Sequence, residues 1–145
     1  MKKRTNAGRA PRQRFKRKGK IMKKIIYTPH APAPIGPYSQ GIMVDGTFYC
    51  SGQIAINPEN GEIDGTTIEE QTYRVMMNLS NVLAAAGLGF ADVVKTTCFL
   101  ANMEDFSKFN EIYAKYFVSN PARSCVAAKS LPKGVLVEVE LIATE

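Results

Sequence analysis

Hydrophobic and polar residues follow two different periods along this chain, and both patterns lie after residue 21. Apolar residues recur at helical spacing after residue 67 and again over 104–117. Shorter runs between them are rich in β-branched and other apolar residues. The order that results is strands, helix, strand, helix, strands. This order predicts an α+β domain in which two helices cover one face of a mixed sheet.

The first helical stripe carries its own start and stop signals. Thr67 is followed three residues later by Glu70, which is the pattern of a capping box, and Gly87 comes after the last apolar position. The second helix is predicted over 104–117. Its buried face is expected to consist of Phe106, Phe109, Tyr113 and Phe117, with Asn110 on the same face.

The strands are predicted from apolar runs that end at turn residues. Asp45-Gly46 predicts a two-residue hairpin, whereas four prolines make 28–37 an irregular loop. With helices on one side only, the other face of the sheet must be buried elsewhere, and we expect a second copy of the chain to cover it. The predicted strands are 24–27, 42–44, 47–50, 93–100, 122–128 and 135–143.

Charge is divided unevenly along the 145 residues, whose net charge is +6. Residues 1–21 contain ten Lys or Arg and no acid, so nine bases face 13 acids in 22–145. The folded part therefore gives no ground for nucleic-acid binding through overall charge. We expect 1–21 to be a disordered basic extension and 22–145 to be the domain. The extension is either a solvated tail or a segment upstream of a true start at Met22. Contact with nucleic acid remains an alternative for the extension alone.

Several other classes of protein are not supported by the composition. No apolar run reaches 18 residues, so no membrane-spanning helix is expected. Three widely spaced cysteines and a single histidine, His30, form neither a disulfide framework nor a cysteine–histidine zinc site. We therefore expect a cytoplasmic protein with reduced thiols and without a cysteine–histidine metal site.

The segment 121–126 (PARSCV) is the strongest candidate for a functional site. Arg123 and Cys125 lie two residues apart in what is predicted to be a buried strand, so their side chains share a face. A guanidinium among small apolar residues needs an anion. That anion is either a protein carboxylate, with Glu138 and Glu140 as candidates, or the carboxylate of a ligand.

Other candidates come from strand ends and from the two glutamates of the last strand. Tyr38 stands at the exit of the proline-rich loop, and Ser51-Gly52 ends a strand where backbone can approach a ligand closely. Glu138 and Glu140 share one face, and either could be a general acid or base. Periodicity alone does not distinguish them. One histidine makes a serine or cysteine triad improbable.

Four motifs together resemble the Rid family, also called the YjgF or reactive-intermediate deaminase family. They are IGPYSQ (35–40), SGQ (51–53), VKTT (94–97) and PARSC (121–125). The resemblance implies a chorismate-mutase-like fold of the bacillus type and a homotrimer whose sheets form a barrel, with ligand clefts between subunits. It also implies hydrolysis of 2-iminobutanoate, 2-iminopropanoate or their enamines to 2-oxoacids and ammonia, which protects pyridoxal-phosphate enzymes.

The resemblance also assigns roles to matching residues. Arg123 would clamp the substrate carboxylate, Glu138 would position the hydrolytic water, and Asn110 would lie beside the cleft. Tyr38 and Ser51 would orient the imine, with Gly52 beside them. Cys125 would contribute through its backbone and volume and not as a nucleophile. No cofactor or metal is implied.

Two other functions compete with imine hydrolysis. One is RNA binding or endoribonuclease activity of the kind attributed to relatives described as translation inhibitors, which only the basic extension favours. The other is a non-catalytic trimer that holds small carboxylates, since Arg123 would serve both functions. The preferred imino-acid side chain and the partner enzyme are not readable from the sequence.

Overall fold

The computed structural model describes residues 22–145, so the prediction for the extension 1–21 lies outside the described residues. Six strands form one sheet in the order β1-β2-β3-β6-β4-β5. All neighbours are antiparallel except β4 and β5, which are parallel, so the sheet is mixed. The strands are β1 Lys23–Ile26, β2 Gly41–Val44, β3 Thr47–Gln53, β4 Val93–Leu100, β5 Ala122–Ala127 and β6 Val137–Thr144.

Two helices, α1 Ile68–Ala85 and α2 Phe106–Tyr116, pack on one face of this sheet. The predicted α+β architecture is confirmed. The core lies between the layers, where alternate residues of β6 meet the apolar stripe of α1. Its fully buried members include Val137, Val139, Val75, Leu79 and Leu83.

The local signals for α1 act as predicted. The hydroxyl of Thr67 accepts a hydrogen bond from the backbone N–H of Glu70 at 3.2 Å, and the Glu70 carboxylate accepts one from the Thr67 N–H at 3.4 Å. These contacts satisfy helix N–H groups that have no partner within the helix. The helix ends at Ala85, and Gly87 adopts a positive φ of 74° just beyond it.

The second helix starts later than predicted. Met103–Asp105 form a 3-10 turn, and Asn102 accepts a hydrogen bond from the Glu104 N–H at 2.9 Å. This side-chain cap lies before the turn, so the α-helix begins only at Phe106. The predicted inner face is confirmed, with Phe109, Tyr113 and Phe117 buried and Phe106 packed against them.

The prediction that Arg123 lies in a buried strand is wrong. β5 is an edge strand whose only partner in the sheet of residues 22–145 is β4, and most of its residues are exposed in the single chain. Small apolar residues suggested burial, but strand position depends on long-range pairing that a local pattern does not contain. Arg123 is accordingly exposed.

The face of the sheet opposite the helices, here called the open face, is not covered within the described chain. It carries a mixture of polar and apolar side chains, and Tyr49 on it is 50% exposed. Neither helix among residues 22–145 combines the length and the apolar character needed to cross a bilayer. Side chains on the open face include Tyr49, Ser51, Lys95, Thr97, Glu138, Glu140 and Ile142.

Candidate functional site

Arg123 projects from the edge strand toward α2 and is held there by three side chains. Its Nη1 donates a hydrogen bond to Oδ1 of Asn110 at 2.7 Å. Its guanidinium carbon lies 4.7 Å from the ring centroid of Tyr113 and 5.4 Å from that of Phe106. Phe106, Asn110 and Tyr113 lie one turn apart along α2, so one helix face orients the guanidinium.

Within residues 22–145, Arg123 forms no salt bridge with a carboxylate. The pairing with Glu138 or Glu140 considered from the sequence is wrong because both glutamates project from the open face, whereas Arg123 projects toward the helices. An arginine has five N–H donors in a fixed fork, and Asn110 takes one of them. The exposed guanidinium therefore keeps donors with which it can bind an external carboxylate.

Cys125 lies beside Arg123 on the helix side of β5, opposite Cys98 of β4. Burial raises the pKa of the Cys125 thiol, and the nearby Arg123 guanidinium opposes this effect only in part. Burial also raises the pKa of Cys98, to about 12. Since the thiolate is the nucleophilic form, these thiols are poor nucleophiles at neutral pH. We call Arg123, Asn110 and Cys125 the arginine half-site.

Glu138 lies on the open face of β6, half-buried beside Gly52 of β3. Burial raises the pKa of the Glu138 carboxyl, and the negative charge of Glu140 raises it further. A carboxylate that is partly removed from water holds a proton more readily and is a better base than a solvated one. Glu138 thus has the environment of a general acid or base, which Glu140, an exposed residue, does not share.

Gly52 makes room for the Glu138 carboxyl. A Cβ atom at position 52 would overlap Oε1 of Glu138 and would come within 2.9 Å of its Cδ. The sequence singled out Gly52 as a point of close backbone approach to a ligand. In the described chain the group that approaches it is the carboxylate of Glu138, so the glycine leaves open the space that this carboxylate occupies.

Ser51 and Tyr38 lie near Gly52. The Ser51 hydroxyl donates to the backbone oxygen of Ser39 at 2.6 Å, which ties the strand to the loop that carries Tyr38. Tyr38 is half-exposed and shares a small cavity of about 40 Å³ with Gly52. Tyr38, Ser51, Gly52 and Glu138 are called the glutamate half-site.

Gln40 is a site-shaping residue that the sequence reasoning missed. It is buried, its Oε1 accepts from the Thr28 N–H at 2.7 Å, and its Nε2 donates to the backbone oxygens of Thr28, Ala31 and Pro32. These bonds fix the proline-rich loop ahead of Tyr38. The available signal was an amide directly after that loop, within the motif IGPYSQ.

A larger cavity of about 280 Å³ opens on the open face next to the glutamate half-site. It brings one cationic and one anionic side chain, Lys95 and Glu140, together with hydroxyl groups. Its volume is at the lower end of the range for small-molecule pockets. The polar residues around it are Ser39, Tyr49, Ser51, Lys95, Thr97 and Glu140.

The two half-sites do not meet within one chain. Arg123 lies on the helix side of β5, whereas Glu138 lies on the open side of β6, with β4 between the two strands. Two strand spacings amount to about 10 Å, and the sheet itself separates the faces. One small ligand cannot contact both groups of the same chain.

Replacing Gly52 by alanine is expected to displace the Glu138 carboxylate, because the new Cβ overlaps it. A rate that depends on the position of this carboxylate should fall about tenfold. The matched control is Gly89→Ala, since Gly89 has open space around its Cβ position and no positive φ. The measurement is the catalytic rate of both variants relative to wild type. Equal rates for Gly52→Ala and Gly89→Ala would contradict the prediction.

The sequence of this chain is similar to those of known proteins. Residues 28–145 match the family described as endoribonuclease L-PSP. A human protein named 2-iminobutanoate/2-iminopropanoate deaminase is 43% identical over 126 residues, which cover 86% of this chain and 92% of that protein. A Lactococcus lactis protein named as a candidate regulator, AldR, is 58% identical over 121 residues, which cover 83% of this chain and 96% of that protein.

A solved structure has the same fold. The crystal structure of TdcF from E. coli, described as having bound serine, superposes with a TM-score of 0.80 at 39% sequence identity. The match covers 84% of this chain and 98% of that one.

Proposed function

Because this chain belongs to the endoribonuclease L-PSP family, also called the Rid or YjgF family, we propose that it hydrolyses reactive 2-iminoalkanoates to 2-oxoacids and ammonia. The substrates are 2-iminobutanoate, 2-iminopropanoate or their enamine tautomers. The observation that carries the proposal is the guanidinium of Arg123, which is exposed, oriented by α2 and unpaired with any carboxylate of residues 22–145. Removing such imines protects pyridoxal-phosphate enzymes from them.

Arg123 binds the substrate through its carboxylate. A bidentate guanidinium–carboxylate pair fixes the plane of the substrate as well as its position, which a lysine does not do. Asn110 takes one N–H of the guanidinium, so the remaining edge has a defined direction. The small volume and backbone of Cys125 border the same place. This half-site binds and orients the 2-imino acid and carries out no proton transfer.

Glu138 positions and activates the water. For the protonated imine, the carboxylate accepts a proton from the water as the water oxygen adds to C2, which gives a neutral carbinolamine. Glu138 returns this proton to the nitrogen and the C–N bond breaks with release of ammonia. The C2 hydroxyl group gives its proton back to the carboxylate as the C=O bond of the 2-oxoacid forms. The raised pKa of Glu138 suits a group that takes and returns a proton during the reaction. Tyr38 and Ser51 orient the imine, and the reaction needs only water as co-reactant.

Two copies of the chain build each site. The arginine half-site of one copy and the glutamate half-site of the next meet when open faces are turned inward, as in a trimeric barrel. This arrangement is supported by the single chain, in which Arg123 and Glu138 project from opposite faces of the sheet. A homotrimer then has three equivalent sites, each between neighbouring subunits.

The proposed function is tested with an imine generated in place. A serine/threonine dehydratase releases 2-iminobutanoate in the presence of semicarbazide, which traps whatever imine is not hydrolysed. We expect the protein to lower trapping and to speed the release of 2-oxobutanoate. Unchanged trapping together with measurable binding of 2-oxobutanoate would instead support a non-catalytic carboxylate-binding protein. Unchanged trapping without binding would contradict both functions.

The acid limb of the pH profile should report Glu138. Burial and Glu140 raise its pKa above the usual carboxyl range, so kcat/KM is expected to fall as the pH drops through that raised value and protonates the base. Glu140→Gln removes the smaller of the two causes and should move the acid limb to lower pH. An acid limb that stays in place in Glu140→Gln, measured with the trapping assay from pH 4 to 8, would contradict this assignment.

A further inference from the structure

We propose that Tyr113 is a positioning residue for carboxylate binding: its ring sets the direction of the Arg123 guanidinium, and Thr96 holds the ring in place. This inference rests on the proposed function for its substrate class, a small 2-imino or 2-oxo carboxylate. The sequence assigned Tyr113 only to the apolar face of the second helix. Its contacts in the structure give it a second role.

The ring of Tyr113 lies beneath the guanidinium of Arg123. The distance from the guanidinium carbon to the ring centroid is 4.7 Å, shorter than the 5.4 Å to Phe106. Arginine stacks favourably on the face of an aromatic ring, since the cation meets the negative face of the π system. Stacking leaves the N–H groups at the edges of the guanidinium available for hydrogen bonds in its own plane.

Tyr113 itself cannot move freely. Its hydroxyl and that of Thr96 share a buried hydrogen bond of 2.7 Å, and Thr96 is fully buried. Its ring stacks on Phe117 with a centroid distance of 4.3 Å and an interplanar angle of 28°. A ring held at both its hydroxyl and its face is a rigid platform for the cation above it.

Thr96 links the platform to the strand that carries the arginine. In the parallel pairing of β4 and β5, Thr96 lies directly opposite Arg123. The hydroxyl that holds Tyr113 therefore belongs to the residue beside Arg123 in the sheet. Arg123 pairs with Thr96 through the backbone, Thr96 bonds to the Tyr113 hydroxyl, and the Tyr113 ring stacks on the Arg123 guanidinium. Because these three contacts connect the same three residues, the position of the ring and that of the arginine backbone are coupled.

Asn110 completes the geometry from the same helix face. It accepts from Nη1 of Arg123 at 2.7 Å and fixes rotation of the guanidinium in its plane, while Tyr113 fixes the plane itself. Among residues 22–145, the remaining N–H donors of the guanidinium form no side-chain hydrogen bond. A planar carboxylate that approaches in this plane meets N–H donors that are already oriented. The arginine side chain therefore loses less rotational freedom when the carboxylate binds.

The test compares Tyr113→Leu, which removes the ring, with Tyr113→Phe, which keeps the ring and removes the hydroxyl. Loss of the stacked ring is expected to weaken 2-oxobutanoate binding about three- to thirtyfold, the range that follows from reported cation–π interactions. Tyr113→Phe should recover most of that loss. The matched control is Phe109→Leu, which removes a buried ring of the same helix that does not stack on Arg123.

Two readouts keep this inference separate from the proposed function. The first is the dissociation constant of 2-oxobutanoate from a chemical-shift titration. The second is the order parameter of the Arg123 Nε–H group, assigned by its absence in Arg123→Lys, which needs no ligand. We expect Tyr113→Leu to lower this order parameter most. Tyr113→Phe should lower it less, because the ring stays but its hydrogen bond to Thr96 is lost. Phe109→Leu should stay close to wild type.

An unchanged Arg123 order parameter in Tyr113→Leu would overturn the inference, whatever the activity of the protein. A binding loss in Phe109→Leu as large as that in Tyr113→Leu would also overturn it, because general damage to α2 would then explain both. A lowered order parameter in a protein without imine hydrolysis would support the inference and contradict the proposed function instead.

Discussion

Replacing Arg123 by alanine is expected to lower kcat/KM for 2-iminobutanoate about a hundred- to thousandfold, the loss that follows when a bidentate pair of charge-assisted hydrogen bonds is removed. The fold should survive the change. Arg123 is exposed on an edge strand, and its contacts within residues 22–145 are one hydrogen bond and two ring faces. The measurement is semicarbazide trapping, with the thermal midpoint recorded alongside.

Arg123→Lys provides the matched control. Lysine keeps the positive charge but presents a single ammonium in place of the planar fork, so the second hydrogen bond to the carboxylate is lost. We expect activity between wild type and Arg123→Ala, at about a tenth of wild type. If lysine restored full activity, the bidentate clamp would be wrong and charge alone would be sufficient. If Arg123→Ala kept full activity, Arg123 would not belong to the substrate-binding site.

The second large effect is expected at Glu138. Glu138→Gln keeps the size of the side chain and removes its ability to accept a proton, so kcat/KM should fall about a hundred- to ten-thousandfold, the usual contribution of a general acid–base group. Binding of 2-oxobutanoate should persist because Arg123 is intact. The two largest effects therefore differ in kind, since Arg123→Ala should lose binding as well as turnover.

Glu140→Gln is the natural comparison for Glu138→Gln. Both glutamates project from the open face of β6, but Glu140 is exposed and does not lie against Gly52. Its replacement should leave turnover near neutral pH within about threefold of wild type, as removal of an exposed charge usually has a small effect. Equal losses in the two variants would show that the open face requires negative charge and not a specific base.

The elements that the sequence predicted well are those set by nearby residues. The capping box of Thr67 and Glu70 spans four residues, and the Asp45-Gly46 hairpin requires only positive φ values at two adjacent positions, which are 47° and 78°. β4 was predicted with its observed bounds, Val93–Leu100. Such signals act locally, so no knowledge of the tertiary fold is needed to read them.

The error at β5 has the opposite origin. Ala122–Ala127 has the composition of a buried strand, yet the strand order places it at the edge of the sheet. Strand order depends on pairing between segments far apart in the chain, and the parallel pairing of β4 with β5 leaves the other side of β5 without a strand among residues 22–145. Periodicity contains no information on that choice.

The sequence predicted which face of its own element each candidate residue occupies. It did not predict how these elements are arranged relative to one another. Alternation along β6 placed Glu138 opposite Val137 and Val139, and helical spacing placed Asn110 with Phe106 and Tyr113. The sequence did not reveal that Arg123 and Glu138 point to opposite sides of the sheet, because this depends on the register between β4, β5 and β6. That separation is the reason for proposing a site shared between copies.

The most direct test of a shared hydrolytic site is complementation between two inactive variants. Arg123→Ala and Glu138→Gln are refolded together in equal amounts, with each variant refolded alone as a control and mixed trimers verified by native mass spectrometry. Random mixing gives one intact site in about four, so we expect about a quarter of wild-type activity from the mixture. Mixed trimers no more active than either variant alone would contradict the central claim that Arg123 of one copy and Glu138 of another hydrolyse the imine together.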